Sequence, residues 1–290
     1  MREPAGKLPE WFKIDALNIK AVNKMRRLME ELNLNTVCES ARCPNRYECY
    51  AHKTATFMIL GDTCTRNCRF CCVKKGRPTD LDNAEPKHIV QAIRLLSLKY
   101  AVITSVTRDD LPDGGASHFL EVVNAIRTYD PEVIIELLIP DFKGSVSAIE
   151  MVAASKINVL NHNLETIPRL YERVRPEADY QRSVALLRRV KEIRPDLLTK
   201  SGLMLGLGET KEEILTVMKT LREVGCNILT LGQYLQPSNN QCEVARFVRI
   251  NEFAYYEKAG ERMGFKCVIS GPKVRSSYHA SSTYYNYSSY

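Results

Sequence analysis

An alternation of short apolar runs and longer amphipathic segments, beginning near residue 55, is the feature that most constrains the fold. Each apolar run is rich in β-branched and aliphatic residues, and helical periodicity follows it. Such alternation is typical of βα units around a parallel sheet. The predicted strands are TFMIL (56–60), AVITSV (101–106), VIIELLI (133–139), INVLNHN (157–163), SGLMLGL (201–207) and NILTLGQYL (227–235).

The strands and the segments between them predict a specific α/β architecture. Polar and glycine-rich stretches follow the strands, at the edge where βα barrels carry their active sites. Because six units are fewer than the eight of a closed barrel, we expect an incomplete (β/α)6 TIM-type barrel with an open side. A doubly wound sheet is the alternative, but no G-x-G-x-x-G turn follows the first strand. Helices are predicted near 86–99, 115–128, 144–155, 179–193, 210–224 and 251–263.

Extensions flank the predicted barrel. Residues 1–54 precede the repeats, 55–264 form the barrel, and 265–290 form a C-terminal segment. We expect its last stretch, SSTYYNYSSY, to be exposed and poorly ordered. With 290 residues and 44% hydrophobic content, the chain can bury one sizeable core.

Composition also limits the location and the partners. The N-terminus lacks the apolar run of a signal peptide, and no stretch approaches the roughly 20 apolar residues of a membrane span. We therefore expect a cytoplasmic protein with no membrane partner. The net charge of +7 is spread over helices without a polybasic block, which argues against a nucleic-acid partner.

The ten cysteines favour metal binding or redox chemistry over disulfides in a reducing compartment. Cys64, Cys68 and Cys71 form C-x3-C-x2-C directly after the first predicted strand. Such a compact loop can direct three thiolates to three corners of a cubane and leave the fourth iron open. Zinc is the competing interpretation, but a structural zinc site usually has a fourth protein ligand at a recognisable spacing. Cys72 is interpreted as a packing residue, because adjacent side chains in an extended segment point to opposite sides.

A second triplet, Cys38, Cys43 and Cys49, forms C-x4-C-x5-C in the N-terminal extension. Its regular spacing beside Pro44 and Asn45 favours a second metal site over three unrelated thiols.

The C-x3-C-x2-C loop on a βα barrel, with Phe70 before the third cysteine, resembles the radical S-adenosylmethionine (SAM) superfamily. The resemblance implies a 4Fe-4S cluster whose open iron chelates SAM, and a 5′-deoxyadenosyl radical formed by one-electron cleavage. Within this superfamily the chain is similar to the lipoyl synthase family over almost its whole length. The matching segments are CESARCPNRYECY, GDTCTRNCRFC, TSVTRDDLPDGGA, ELLIPDF, NHNLET, VRPEADY, SGLMLGLGET, LTLGQYLQPS and GPKVRSSYHA.

The family resemblance implies a reaction and a second cluster. Two sulfur atoms enter at carbons 6 and 8 of a protein-bound octanoyl-lysine to give lipoyl-lysine, with the second 4Fe-4S cluster as the sulfur donor. A serine of the RSSY motif is its fourth ligand; we assign Ser277, with Ser276 as the second choice. Arg275 is expected to steady the anionic cluster or a substrate carbonyl.

Polar residues in or at the ends of the predicted strands are expected to contact SAM. A polar group satisfied by the protein itself is the alternative for each of them. His162 and His279 lie outside any spacing that metal sites require. The predicted SAM contacts are Thr104, Ser105, Glu136, Asn161, Asn163 and Gln233.

The implied partners are an octanoylated lipoyl domain or a glycine cleavage H-type carrier protein. An electron donor such as ferredoxin or flavodoxin, and an iron-sulfur cluster carrier, are also implied. Alternatives are a biotin synthase-like enzyme acting on a free small molecule, a divergent paralogue, and an iron-sulfur carrier or electron-transfer protein. Two departures from the family pattern bear on the choice: Thr107 replaces the usual aspartate, and the 239–242 loop differs in sequence.

Overall fold

The computed structural model describes Pro9 and residues 19–287. Helices and strands alternate through most of this range, with two short 3-10 turns at Phe142–Gly144 and Pro168–Leu170. The strands are β1 (Asn35–Thr36), β2 (Thr56–Ile59), β3 (Thr63–Cys64), β4 (Lys74–Lys75), β5 (Tyr100–Ser105), β6 (Ile134–Leu138), β7 (Val159–Asn161), β8 (Leu198–Leu205), β9 (Ile228–Gln233) and β10 (Cys267–Gly271). The helices are α1 (Ile19–Glu31), α2 (Val37–Ser40), α3 (Arg46–Ala51), α4 (Glu85–Leu96), α5 (Ala116–Tyr129), α6 (Val146–Ala154), α7 (Tyr171–Val174), α8 (Tyr180–Ile193), α9 (Lys211–Glu223), α10 (Ile250–Arg262) and α11 (Ala280–Tyr287).

The main sheet has the order β1-β2-β5-β6-β7-β8-β9-β10. All its neighbours from β2 to β10 pair in parallel, and β1 pairs antiparallel with β2. Within the described residues no ladder joins β1 to β10, so the sheet is open between them. The predicted α/β partial barrel is confirmed, including all six predicted strands and the six helices that follow them.

Alternating side chains divide the sheet into two faces, as strand geometry requires. In β5, Ala101 and Ile103 belong to the large apolar core that the helices cover, whereas Tyr100 and Val102 belong to a separate small cluster. Parallel strands covered by helices bury both faces, which explains their nearly continuous apolar sequences. The cluster that contains Tyr100 lies on the inner face of the barrel.

The C-terminal segment contributes more structure than the sequence predicted. Its strand β10 continues the parallel ladder beside β9, and α11 follows it. Ala280 joins the small cluster with Tyr100 and Val102, and the Tyr284 ring stacks edge-on against Tyr100 at 5.7 Å between centroids. The expectation of a poorly ordered tail is wrong for 281–287, because this stretch forms α11, and Tyr284 packs against the barrel. The last three residues lie outside the described residues.

No helix within residues 19–287 is long and apolar enough to cross a membrane. The N-terminal helix α1 instead buries one face, formed by Val22, Met25 and Met29. This spacing places the three side chains on one side of the helix. The helix thereby packs the N-terminal extension against the same core as the barrel.

Candidate metal centres

The first cysteine triplet lies on the loop that leaves β2. Cys64 ends β3, which pairs in parallel with β4, so the loop is closed by a small two-stranded ribbon. Backbone amides of Arg66 and Thr107 both point at the Cys64 Sγ atom from 3.4 Å, and the amide of Val73 points at the Cys71 Sγ atom from 3.5 Å. Amide donors aimed at sulfur favour the thiolate form that binds metal.

The thiols of this loop are electrostatically coupled to one another. Burial raises the pKa of Cys71 to about 12, and the neighbouring thiols Cys68 and Cys64 add to the shift. Burial also raises the pKa of Cys68, against the opposing charge of Arg175. Without a bound cation, three thiolates so close together would repel, so a metal group that neutralises them would stabilise this loop.

A buried ion network fixes this loop to the barrel. Arg66, between the first two cysteines, donates to Asp109 at 2.7 and 3.0 Å and to Asp141 at 2.5 Å. These aspartates follow β5 and β6, and Arg182 reaches Asp141 from a third side at 3.3 Å. Although burial raises the pKa of Asp141, its contacts with Arg66 lower it to about 2. The charged pair ties the loop to two successive strand ends.

The same loop contacts the two segments that depart from the family pattern. Thr65 donates to the Thr107 carbonyl oxygen at 3.0 Å, and the Cys242 amide donates to the Arg69 carbonyl oxygen at 2.8 Å. Gln241 donates its side-chain amide to the Cys71 carbonyl oxygen at 3.3 Å. Thr107 and Cys242, the departing residues, therefore touch the cysteine loop through their backbone atoms, where side-chain identity matters less.

The second triplet is built on two short helices. Cys38 lies in α2, Cys49 in α3, and Cys43 in the turn between them, where its amide donates to the Cys38 carbonyl oxygen at 3.0 Å. Burial raises the pKa of Cys38 and of Cys49 to about 12, and both shifts include the repulsion of neighbouring thiols in this set. Three mutually repelling thiols thus converge a second time.

The C-terminal segment is fastened to this second set. Asn45 donates its side-chain amide to the Lys273 carbonyl oxygen at 2.6 Å, and the Tyr278 hydroxyl donates to Glu48 at 2.9 Å. His279 lies 3.5 Å from the same Glu48 carboxylate. Residues near 275–279 are therefore held against the helices that carry Cys38 and Cys49.

The two serines of the RSSY motif point to different places. Thr56 at the start of β2 donates to the Ser277 hydroxyl at 2.8 Å, and Thr56 also hydrogen-bonds to Cys38 through its backbone and side chain. The Ser276 hydroxyl instead accepts from the Asn163 amide at 2.9 Å. The structure brings Ser277 to the second triplet and directs Ser276 toward the barrel.

Arg275 immediately precedes the two serines. Burial lowers the pKa of its guanidinium, and the charges of Cys43 and Glu165 oppose that shift. The segment that carries Arg275 lies close to β9, and this requires glycine at position 232. A Cβ atom at Gly232 would lie 2.0 Å from the Val274 carbonyl oxygen.

Sequence reasoning missed Glu165, which lies among several candidate residues. Its carboxylate accepts from Asn163 at 3.0 Å, and its charge acts on both Cys68 and Cys71. Burial raises the pKa of Glu165 despite the nearby Arg175. The backbone of Glu165 has a φ of 65°, a left-handed conformation that turns the chain sharply after β7. The NHNLET segment was singled out in the sequence, but only its asparagines were selected.

Three of the predicted SAM contacts, Thr104, Ser105 and Asn163, have polar atoms near the ends of strands. The Thr104 hydroxyl donates to the Leu138 carbonyl oxygen at 3.0 Å. The Ser105 hydroxyl and the Asn163 Oδ1 atom are buried without a hydrogen-bond partner among the described residues. An unpaired buried acceptor is costly, so Asn163 is suited to a bound ligand that supplies a donor.

Protein groups bind most polar atoms of the other three predicted contacts, Glu136, Asn161 and Gln233. Glu136 binds Lys200 at 3.0 Å, and it also accepts from Tyr100 at 2.5 Å and from Asn161 at 3.0 Å. This network lies inside the barrel, with Tyr100 at the first residue of β5. Asn161 keeps only its Oδ1 atom unpaired.

Gln233 is likewise fully used within the protein. Its amide donates to the carbonyl oxygens of Tyr234 and Arg246 at 2.9 and 3.1 Å, and its Oε1 atom accepts from Val248 at 2.8 Å. It fastens the 246–248 segment to β9 and is a structural residue.

The two histidines also differ. Burial, reinforced by Arg175, lowers the pKa of His162 to about 4, and its Nδ1 atom lies 2.9 Å from the Ile139 carbonyl oxygen. His162 is therefore neutral at pH 7. His279 is exposed and pairs with Glu48.

No three histidine, cysteine or acidic side chains in the described ranges lie close enough together to hold a single metal ion. Cubane ligands each bind a different iron, so they stand further apart than the ligands of one ion. The donor sets, three thiols each with no histidine, suit iron-sulfur clusters.

Family models match both regions of the chain. The radical SAM superfamily matches residues 58–231, and the N-terminal domain of lipoyl synthase of the radical SAM family matches residues 2–43. The lipoyl synthase of Caldanaerobacter subterraneus subsp. tengcongensis is 55% identical over 272 residues, which are 94% of this chain and 95% of that protein. This chain belongs to the lipoyl synthase family. The lipoyl synthase of Pseudomonas syringae pv. tomato is 53% identical, over 94% of this chain and 86% of that protein.

Solved structures of other radical SAM proteins share the fold. Methylornithine synthase (PylB) superposes with a TM-score of 0.53 at 14% identity, covering 83% of this chain and 76% of that one. The maturase HydG gives a TM-score of 0.55 at 16% identity, over 86% and 62%. As a member of the lipoyl synthase family, the chain is a radical SAM enzyme of the sulfur-inserting type, and it requires SAM and 4Fe-4S clusters.

Proposed function

We propose that this enzyme inserts sulfur at carbons 6 and 8 of an octanoyl-lysine on a carrier protein, giving lipoyl-lysine. The observation that carries the proposal is the placement of Ser277. Its hydroxyl shares Thr56 with Cys38, although Ser277 and Thr56 are 221 positions apart in sequence. A radical SAM protein that used only one cluster would not need a C-terminal serine beside a second set of thiols.

The first site generates the reactive species. Cys64, Cys68 and Cys71 would hold the cluster that binds SAM, with amide donors at their sulfurs. When bound, this cluster and SAM supply a radical that abstracts hydrogen from an unactivated carbon, and the second cluster supplies sulfide. The Arg66 network keeps the loop at the strand ends, where Thr104, Ser105 and Asn163 would contact SAM.

Glu165 joins the same proposed pocket. Its carboxylate is bound to Asn163 and lies in the field of Arg175, so it is held in one place. Its left-handed backbone directs the chain across the end of the barrel. A carboxylate held in this way is suited to accept hydrogen bonds from hydroxyl or ammonium groups of SAM.

Four residues would hold the second cluster: Cys38, Cys43, Cys49 and Ser277. Arg275 would neutralise charge near Cys43, since the charges of both Cys43 and Glu165 act on its guanidinium. Since a serine ligand is weaker for iron than a thiolate, the corner at Ser277 would open most readily when sulfur is given up.

Partners follow from the reaction. An octanoylated lipoyl domain or H-type carrier protein would present the substrate, a ferredoxin or flavodoxin would reduce the first cluster, and an iron-sulfur carrier would restore the second. The loop that holds Cys64 carries exposed basic side chains at Lys74, Lys75 and Arg77, and Lys75 pairs with Cys64 in register. This positive rim favours an acidic partner close to the first site. We place the reaction in the cytoplasm.

The test uses anaerobically reconstituted protein, with iron and sulfide quantified. An octanoylated lipoyl-domain peptide is incubated with SAM and dithionite, then analysed by mass spectrometry. We expect peptide that has gained sulfur at two positions, together with 5′-deoxyadenosine. Free octanoic acid is the matched control and should gain none. Tight SAM binding without any thiolated peptide would contradict the proposal, and sulfur on the free acid would favour a small-molecule enzyme.

A further inference from the structure

Adjacent side chains of the RSSY motif contact the two sites separately. The Ser277 hydroxyl lies 2.8 Å from Thr56 Oγ1, and Thr56 hydrogen-bonds to Cys38. One residue earlier, the Ser276 hydroxyl accepts from Asn163 at 2.9 Å. Side chains of neighbouring residues in a non-helical segment point in different directions, so one short stretch of chain spans both centres.

The orientation of the Asn163 amide is determined by its surroundings. A carboxylate only accepts hydrogen bonds, so the amide must turn its NH2 group toward Glu165, 3.0 Å away. The second hydrogen of that group goes to Ser276. Both donor positions are then used, and the remaining Oδ1 atom is buried without a partner among the described residues.

The Asn163 amide packs closely against β8. Gly202 in β8 has no side chain, and a Cβ atom there would lie 3.0 Å from Asn163 Oδ1 and 2.5 Å from Thr230 Oγ1. Any larger residue would crowd the acceptor. Position 202 therefore requires glycine, and the unpaired Oδ1 atom is the part of the amide left for a ligand that brings a donor.

We propose that Ser276 is a positioning residue that couples the two centres: it orients Asn163 toward SAM and is itself held by the neighbouring ligand Ser277. The inference rests on the proposed function and gives the first serine a role distinct from ligation. When the second cluster is intact, Ser277 is fixed, Ser276 holds the amide in place, and SAM binds well. When that cluster is dismantled, the segment loosens and SAM binds more weakly.

Arg275 provides a second connection in the same segment. The charges of Cys43 and Glu165 both oppose the lowering of the Arg275 pKa by burial. A displacement of the segment would therefore disturb both partners of the Asn163 amide, since Glu165 is one and Ser276 is the other. By linkage, any effect of the second cluster on SAM affinity equals the effect of SAM on the stability of that cluster.

The first measurement is the SAM dissociation constant, by anaerobic equilibrium dialysis of protein that holds both clusters. Ser276→Ala should bind SAM about three- to tenfold more weakly, as expected for one lost hydrogen bond to a ligand-orienting amide. The matched control is Ser282→Ala, an exposed serine of α11. It should bind SAM like the wild type, and iron content should be the same in all three proteins. Wild-type SAM affinity in Ser276→Ala would overturn the inference.

A second measurement tests the coupling. Cys38→Ala protein, loaded only at the first site, should bind SAM several-fold more weakly than protein with both clusters. Adding Ser276→Ala to Cys38→Ala should cause little further loss, because the link is already broken. An equal loss from Ser276→Ala in both backgrounds would overturn the coupling.

An isosteric pair covers the case in which Ser276→Ala loses iron. Ser276→Thr keeps the hydroxyl and should retain SAM affinity, whereas Ser276→Val should lose it; equal affinities would contradict the inference. Failure here is distinguishable from failure of the proposed function. Product on the octanoylated peptide with unchanged SAM affinity leaves the function standing, whereas absence of product in the wild type contradicts the function itself.

Discussion

The two cysteine sites are built by different means. The first triplet lies within one eight-residue loop, from Cys64 to Cys71, and the buried Arg66 network fastens that loop to strand ends. The second needs two segments more than 200 positions apart, joined by contacts such as Asn45 with Lys273. A site contained in one loop can form whenever the barrel forms, whereas a site between two distant segments depends on their docking. The first is therefore suited to permanence and the second to being opened and rebuilt.

The largest expected effect is at the first site. Cys64→Ala, Cys68→Ala or Cys71→Ala should abolish 5′-deoxyadenosine formation, because each would remove a proposed ligand of the cluster that binds SAM. Chromatographic quantification of 5′-deoxyadenosine with dithionite as the reductant measures this. Cys72→Ala is the matched control and should behave nearly like the wild type. Loss of SAM cleavage in Cys72→Ala with retention in Cys71→Ala would show that the ligand assignment is wrong.

Substitutions in the second triplet should separate the two sites. Cys38→Ala, Cys43→Ala or Cys49→Ala should leave SAM cleavage in part, since the loop at Cys64 to Cys71 is intact, but should remove the sulfur source. Mass spectrometry should then show no thiolated octanoyl peptide while 5′-deoxyadenosine still accumulates. If these variants lost iron from both sites equally, the assignment of the two triplets to separate clusters would be refuted.

Ser277→Ala probes the contribution of the distant segment. Three thiolates still hold a damaged cluster, so we expect SAM cleavage with little or no thiolated product. The same mass spectrometric assay measures this outcome. A Ser277→Ala enzyme that made normal amounts of lipoyl product would eliminate this serine as the ligand.

Arg66→Gln tests how firmly the first loop is attached. The change leaves buried Asp141 without its closest counter-charge, and breaking a buried ion pair costs about 3–5 kcal/mol. Urea unfolding of the metal-free protein should show a loss of this order. In the cluster-loaded protein, iron should be lost first from the Cys64 site. Arg69→Gln, an exposed arginine on the same loop, is the control and should change stability by less than about 0.5 kcal/mol. Equal losses would mean that the network does not anchor the loop.

Acid should weaken the barrel beneath the first site through His162. Its folded-state pKa of about 4 is below the ordinary value of 6.5, so the unfolded chain binds the proton more readily between these values. Its contribution is complete at neutral pH and is lost as pH falls from about 6.5 to 4, by at most about 3 kcal/mol. Urea midpoints at pH 7 and pH 5 measure the loss. His162→Asn keeps a donor for the Ile139 carbonyl oxygen and should reduce this pH dependence. If the loss of stability between pH 7 and pH 5 were unchanged in this variant, another group would be responsible for it.

The sequence predicted the parts of the molecule that depend on local pattern. The sequence predicts six strands, their helices and both cysteine spacings, because each depends on a short stretch of sequence. The structural roles of Glu136 and Gln233 could not be predicted in this way. The sequence around a polar strand residue does not show that Lys200 or the carbonyl oxygen of residue 246 will bind it. The packing of α11 was missed for a similar reason. Its tyrosine- and serine-rich sequence is typical of an exposed segment, and the sequence does not show that Tyr284 contacts Tyr100. Glu165 was overlooked because its left-handed backbone conformation leaves no compositional signal.

The tie between Thr56 and Ser277 has a consequence for how the protein is made in the cell. Translation delivers the N-terminal thiols first and Ser277 only after 221 further positions beyond Thr56 have been synthesised. During that interval the ribosome-bound chain exposes Cys38, Cys43 and Cys49 without their fourth partner, while the loop at Cys64 to Cys71 is already fully synthesised. With Ser277 as the proposed fourth ligand, the second site is complete only after nearly the whole polypeptide has emerged, so it is the later of the two sites to mature.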